Sequence, residues 1–276
     1  MSDDHVYLSL AEEHADGDAR WAFGTGFEDP LHGVSTAVPE GVDRAELAAL
    51  CLALGDDALV TAQRLAEWTT RAPELEEEVA LANIGLDLLG QARLLYARCG
   101  QVDGTGRGED AYAYFRDADD FRNVRLAELP NGDFAFSIAR LLVFSSWRLA
   151  HFGRLTAAAD PVLAAVAAKG VKELTYHRQY AAEWAVRLGD GTAESHRRMR
   201  AALAHMAPYL GELFAAHDAE TEVLAVLRQV GEATGLPLPD APPAVGFGRE
   251  GDHTGHLAPL LAELQSVARA HPEAAW

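Results

Sequence analysis

The amino-acid sequence predicts an all-α fold, a bundle of long helices with additional shorter helices. Alanine and leucine are prominent, whereas strong β-formers are sparse between the prolines and glycines. Long segments carry apolar residues at helical spacing, and the connections between these segments are short. Long helices joined by short connections are typical of antiparallel bundles, so we expect this architecture.

The length of the chain bounds the number of domains. With 276 residues, the chain can form one large domain with a substantial core. Residues 1–42 contain Gly, Asp, His and Pro without a sustained period, and they predict a loosely ordered N-terminal extension. Residues 43–276 predict a single helical domain.

The first two long helices have clear boundary signals. The first is predicted to begin at Asp43, where the sequence Asp-Arg-Ala-Glu has a capping-box pattern. It should end near Ala72, because the residue before Pro73 is disfavoured in a helix. Pro73 suits the first turn of the second helix, which we expect Gly100 to end.

The remaining helices follow from similar signals. Residues 101–108 predict a glycine-rich turn, and a shorter helical stretch follows. Asp133 is expected to cap a third long helix, and Pro161 to open a fourth, which reaches about residue 188. Further helices are predicted over residues 192–215, 219–233 and 254–270.

Charge and composition exclude several classes of partner. The formal net charge of −19 leaves no basic face for nucleic acid or for an anionic membrane surface. The longest apolar piece, residues 141–144 with their neighbours, is far shorter than the roughly 20 residues of a membrane span. The acidic N-terminus does not resemble a secretory signal. Cys51 and Cys99 fit buried free thiols, so we expect a cytoplasmic protein.

The second helix carries a polar stripe. Asn83, Asp87 and Gln91 are spaced i, i+4, i+8, which places an amide, a carboxylate and an amide on one line. We expect this line to face inward, where helix bundles build their sites.

A carboxylate-bridged two-metal site in such a bundle needs two single glutamates and two Glu-x-x-His motifs. The only Glu-x-x-His in the sequence is Glu250-Gly-Asp-His253, whose neighbours are poor helix residues. Three residues before His177, where this motif requires a glutamate, the sequence has Leu174. Glu173, four residues before His177, more naturally forms a carboxylate–imidazole pair with it.

The sequence therefore predicts a hydrogen-bonded polar core and no catalytic, cofactor-binding or metal-binding residues. Lys169 or Lys172 could be its counter-ion. Alternatively, some of these polar side chains, Asp56 and Lys172 in particular, simply face water. The predicted polar core consists of Asp56, Asp57, Asn83, Asp87, Gln91, Glu173 and His177.

Four motifs in order carry a resemblance to a known family. They are VALANIGLDLLGQAR at residues 79–93, PNGDFAFSIAR at 130–140, KELTYHRQYAAEWAVRLGDGT at 172–192 and HTGHLAPLLAELQ at 253–265. At these positions the sequence resembles the C-subunit family of bacterial phenylacetyl-CoA epoxidases, which are ring 1,2-monooxygenases of phenylacetate breakdown. The resemblance runs from about residue 46 to residue 276.

This resemblance implies a ferritin-like fold and a structural, non-catalytic subunit. Its implied partner is a homologous catalytic subunit that holds two irons and activates O₂, in a heterodimer or higher assembly. A small bridging subunit and a reductase are further implied components. No cofactor is implied for this chain, which we expect to be inactive alone.

Two other functions remain open at this point. The chain could be a divergent metal-dependent oxygenase in its own right, with Asp57, Asp87, Glu173 and His177 as ligands. It could also be a scaffold subunit of another acyl-CoA oxygenase.

Overall fold

The structure, a computed structural model, describes residues 31–274. The first 30 residues of the predicted extension lie outside the described residues. Residues 34–274 belong to one compact unit. Every helix given below belongs to this unit.

The prediction of an all-α fold is confirmed. Residues 31–274 contain ten α-helices and no strand, in the arrangement of a ferritin-like bundle. The helices are α1 (Arg44–Ala66), α2 (Leu75–Val102), α3 (Glu109–Tyr114), α4 (Arg125–Glu128), α5 (Phe134–Leu155), α6 (Pro161–Gly189), α7 (Ala193–Ala216), α8 (Glu220–Thr234), α9 (Leu257–Leu264) and α10 (Ser266–Ala270).

Side-chain caps fix the N-termini of four long helices. Asp43, Asp133, Asp160 and Thr192 accept hydrogen bonds from backbone N–H groups in the first turns of α1, α5, α6 and α7. These N–H groups have no partner within the helix, so a side-chain oxygen stabilises each start. The predicted starts at these four positions are confirmed.

Several predicted ends are wrong. Helix α1 already ends at Ala66, and Gly100 lies inside α2 instead of ending it. A Cβ atom at Gly100 would lie 2.0 Å from the carbonyl oxygen of Arg107, so glycine allows the following loop to approach α2. The last predicted helix is divided into α9 and α10, and it starts at Leu257 instead of residue 254.

The helices pack as two pairs joined in the middle. Helix α1 packs along α2 and α5 along α6, while α2 also contacts α6. Helices α7 and α8 cover α5 and α6. Residues 53–62 of α1 are all buried, which makes α1 a central helix. Of the three tryptophans on or beside long helices, Trp68 and Trp147 are buried and Trp184 is half-buried.

Two further sequence features have a clear place in the structure. Cys51 and Cys99 are buried free thiols, as expected. Among residues 31–274, no helix combines the length and the apolar character that a bilayer span requires.

Candidate functional site

Two of the three aspartates of the predicted polar core, Asp56 and Asp57, lie in the buried middle of α1. Asp56 accepts hydrogen bonds from the Tyr96 hydroxyl at 2.6 Å and from the backbone N–H of Arg122 at 2.7 Å. The guanidinium of Arg116 forms an ion pair with the same carboxylate. Burial raises the pKa of Asp56, whereas Arg116 lowers it. Asp56 therefore does not face water.

Asp57 is held by a different set of groups. Its carboxylate accepts from Arg249 Nη1 at 3.0 Å and Nη2 at 2.6 Å, and from the backbone N–H of Val124 at 2.8 Å. Arg148 Nη1 lies 3.9 Å from it. Two guanidinium groups therefore neutralise one fully buried carboxylate.

Gln91 connects three helices at the centre of the bundle. Its amide oxygen accepts from Arg148 Nε on α5 at 3.0 Å, and its Nε2 donates to Glu173 on α6 at 2.9 Å. Glu173 also forms an ion pair with Lys169, one turn earlier on α6. Lys169 is therefore the counter-ion that the sequence left undecided, whereas Lys172 is exposed.

His177 is fully buried, and its partner is not the one that the sequence predicts. Nε2 of His177 lies 3.0 Å from Asp87 on α2. The predicted pairing of His177 with Glu173 is wrong, because Glu173 is already bonded to Gln91 and Lys169. Within the described part of the chain, His177 Nδ1 is buried without a hydrogen-bond partner.

The predicted inward position of Asn83 is also wrong. Along the stripe, Gln91 is buried, Asp87 is half-buried and Asn83 is exposed. Four residues of an α-helix correspond to about 40° more than one full turn. Asn83 and Gln91, which are eight residues apart, therefore point about 80° apart around the helix axis. The stripe begins at the core at Gln91 and reaches solvent at Asn83.

Buried arginines are the residues that the sequence pattern did not reveal. Arg148 is completely buried in α5 and also donates to the carbonyl oxygen of Leu54 at 3.1 Å. Burial lowers its pKa to about 10, and Asp57 opposes this change. Its guanidinium therefore stays charged at neutral pH. One signal for this residue does exist in the sequence, because Arg148 interrupts a strongly apolar helix.

His253 belongs to a second buried polar cluster near α4. Its Nδ1 lies 2.7 Å from Glu128, and its Nε2 lies 2.9 Å from the carbonyl oxygen of Phe121. Glu128 also accepts from the amide of Asn123 at 3.0 Å and from the hydroxyl of Thr254 at 2.6 Å. These contacts attach the segment before α9 to the bundle. The imidazole of the only Glu-x-x-His thus pairs with a glutamate outside its motif.

The donor atoms of the polar core do not fit a two-metal centre. Asp56, Asp57 and Glu173 are each ion-paired with an arginine or lysine. Asp87 and His177 contribute one carboxylate and one imidazole, but no third potential ligand of the described chain joins them. Over residues 31–274, the group of three carboxylates close enough to share an ion is Glu74, Glu76 and Glu77, at the start of α2.

Comparison with known proteins gives concordant results. The family described as "Phenylacetic acid catabolic protein" matches residues 34–276. Over 248 residues, the chain is 40% identical to the C subunit of 1,2-phenylacetyl-CoA epoxidase from Escherichia coli (strain K12). That alignment covers 84% of this chain and 99% of the relative. The resemblance carried by the four sequence motifs is confirmed, and the chain belongs to the phenylacetic acid catabolic protein family.

Proposed function

We propose that this chain is the structural, non-catalytic subunit of a phenylacetyl-CoA 1,2-epoxidase in aerobic phenylacetate catabolism. Two observations support the proposal. The chain is 40% identical to a relative named as the C subunit of such an enzyme, along almost all of that relative. In addition, arginine and lysine side chains neutralise three carboxylates of the polar core.

The contact between Arg249 and Asp57 carries the proposal. In a metal-binding helix bundle, a buried carboxylate in the middle of a long helix is free to ligate a cation. Here both carboxylate oxygens of Asp57 accept hydrogen bonds from one guanidinium. A fixed organic cation thus supplies the positive charge that this buried carboxylate requires.

The role of the polar core follows from these contacts. Hydrogen bonds of Gln91 with Arg148 and Glu173 connect α2, α5 and α6, and Arg148 also donates to the carbonyl oxygen of Leu54 on α1. Such bonds fix the register of the helices relative to one another. The function of the chain is then to present a rigid surface to another subunit.

That other subunit is a homologous catalytic chain in a heterodimer or a higher assembly. It would hold two irons, which supply the activation of O₂. A small bridging subunit and a reductase fed by a nicotinamide cofactor complete the proposed system. The whole assembly would be cytoplasmic.

The alternative of an oxygenase in its own right is less well supported. It needs Asp57, Asp87, Glu173 and His177 as a joint ligand set. Asp57 and Glu173 are ion-paired with Arg249 and Lys169, and His177 contacts Asp87 alone of the other three. A metal would have to displace two cations from buried or half-buried carboxylates before it could bind.

One co-expression experiment tests the proposal. The chain and the homologous subunit that carries two Glu-x-x-His motifs are purified alone and together, and iron content and complex formation are measured. We expect iron in the partner and in the complex, and none in this chain. Stoichiometric iron bound by this chain alone would contradict the structural role.

Activity measurements separate this proposal from the scaffold of another acyl-CoA oxygenase. The complex is assayed with phenylacetyl-CoA, O₂ and reductase, and in parallel with other acyl-CoA thioesters. We expect epoxidation of phenylacetyl-CoA by the complex and no product from this chain alone. A complex that oxidises only a different thioester would favour the scaffold alternative.

A further inference from the structure

Helix α2 is apolar on its outer face as well as on its buried face. Leu75, Leu86 and Val79 are 71%, 64% and 51% exposed. Their spacing of four and seven residues places all three on one side of the helix, opposite the buried Leu81 and Leu88. A surface helix normally presents polar residues there, whereas a helix that is apolar all round is buried.

An apolar groove lies beside this outer face. It has a volume of about 320 Å³ and runs between α1 and α2, and Leu264 of α9 also lines it. Its apolar lining includes Leu59, Ala62, Ala66, Leu86, Leu89 and Leu264. Leu86 belongs both to the groove and to the outer face, so the two form one continuous apolar surface. A patch of this kind is typical of a protein–protein interface.

Charge distinguishes between the proteins that could cover this surface. Glu74, Glu76, Glu77 and Glu78 lie at the N-terminal end of α2, next to Leu75 and Val79. The chain as a whole carries a net charge of −19. A second copy would bring the same negative charge to the interface, whereas a partner with basic residues at this rim would be attracted.

We propose that the outer face of α2 and the adjoining groove form the docking surface for the homologous catalytic subunit. This inference rests on the proposed function, which supplies the partner. The partner presents a helix whose apolar side chains enter the groove and whose basic residues face Glu74–Glu78. Asn83, which lies between Val79 and Leu86 on the exposed side, is then a polar position within the interface.

The test measures binding of the catalytic subunit to variants of the full chain. Leu86→Lys places a charge in the groove, and Leu238→Lys makes the same change at an exposed leucine outside the surface. We expect Leu86→Lys to weaken the complex about tenfold or more, and Leu238→Lys to bind like the wild type. Circular dichroism and thermal unfolding of the isolated variants should match the wild type, because both leucines are largely exposed.

A charge variant tests the orientation of the partner. Glu76 is exposed, and Glu76→Lys reverses one charge at the rim. We expect slower association and a weaker dependence of the association rate on salt, since electrostatic steering acts mainly on this rate. An association rate that Glu76→Lys leaves unchanged at low salt would contradict the basic rim.

Three outcomes are distinguishable. Wild-type binding by Leu86→Lys would overturn the docking surface while leaving the proposed function intact. Self-association of the wild-type chain that Leu86→Lys abolishes would assign the surface to a second copy and overturn the inference. A wild-type chain that does not bind the catalytic subunit at all would instead refute the proposed function.

Discussion

Arg249 donates hydrogen bonds to both carboxylate oxygens of Asp57, at 3.0 and 2.6 Å. The two residues are separated by 192 positions in the sequence. Arg249 lies in the segment between α8 and α9, and it also donates to the carbonyl oxygen of Ala53 at 3.0 Å. A short C-terminal segment therefore inserts its cation into the buried middle of α1, which makes the centre of the bundle dependent on this segment.

Arg249→Ala should strongly destabilise the protein. It leaves the fully buried Asp57 with Val124 N–H and with Arg148 at 3.9 Å, and breaking a buried ion pair from one side costs about 3 to 5 kcal/mol. Urea unfolding of the isolated chain measures this loss. Arg249→Lys should recover part of it, because lysine restores the charge without the bidentate geometry.

The control for Arg249→Ala is Arg228→Ala, because Arg228 is exposed on α8. We expect this variant to lie within about 0.5 kcal/mol of the wild type. Equal effects of the two substitutions would contradict the role assigned to Arg249.

The two ends of the polar stripe should respond differently to the same substitution. Gln91→Met removes the partners of Arg148 Nε and of Glu173 Oε2 at nearly constant volume. Each unsatisfied buried group costs about 1 to 3 kcal/mol, so this variant should unfold at a clearly lower urea concentration. Asn83→Met changes an exposed residue and should have little effect on the free energy of unfolding. Similar losses for both variants would argue against the rotation of the stripe from the core to solvent.

A pair of half-buried imidazoles should make the protein sensitive to acid. His217 stacks on Trp147 with ring centroids 4.5 Å apart and contacts His151 at 3.9 Å. Burial lowers the pKa of His217 to about 2, with His151 and three nearby arginines adding to the effect. Burial also lowers the pKa of His151 to about 4.

The direction of the change of stability with pH follows from proton binding by the unfolded and the folded chain. In the unfolded chain these histidines take up a proton near pH 6.5, whereas in the folded chain they do so only at lower pH. Stability is therefore lost as the pH falls below about 6.5, down to about 4 for His151 and down to about 2 for His217. His217→Phe should reduce the slope of unfolding free energy against pH in this window, and the exposed His256→Phe should not. The same slope in the wild type and in His217→Phe would refute this assignment.

Two glycines of α2 provide a matched pair of alanine substitutions. Gly100→Ala would place a Cβ atom 2.0 Å from the carbonyl oxygen of Arg107, so the loop must move and stability should fall. Gly90 has no heavy atom within 4 Å of the position of an added Cβ. Gly90→Ala should therefore stabilise the isolated chain by up to about 1 kcal/mol. Differential scanning calorimetry measures both, and a stabilising Gly100→Ala would exclude the proposed close approach.

The helix starts were predictable because their causes are local. Asp43, Asp133, Asp160 and Thr192 each bond to a backbone group two or three residues later. Helix ends were less predictable. Gly100 has the residue type of a helix terminator, yet it stays in α2 because a nearby loop needs the space. A residue type thus predicts structure well where its partner is close in sequence.

The candidate site was predicted only in part for the same reason. The burial of Asp57 and the inward position of Gln91 followed from the helical pattern, whereas this pattern left open whether Asp56 faces water. The helical pattern did not reveal the arginines that neutralise these carboxylates. Arg116, Arg148 and Arg249 lie about 60 to 190 positions away from them in the sequence.

The residue pattern alone was sufficient to establish the all-α class, the long helices with their caps, and the family to which the chain belongs. It also placed no Glu-x-x-His motif within a long helix. The packing of the helices was needed to establish that Asp57 pairs with Arg249, that His177 pairs with Asp87, and that Asn83 faces outward. Periodicity assigns a residue to a side of its helix only to within some tens of degrees, and the positions of the neighbouring helices determine which groups meet there.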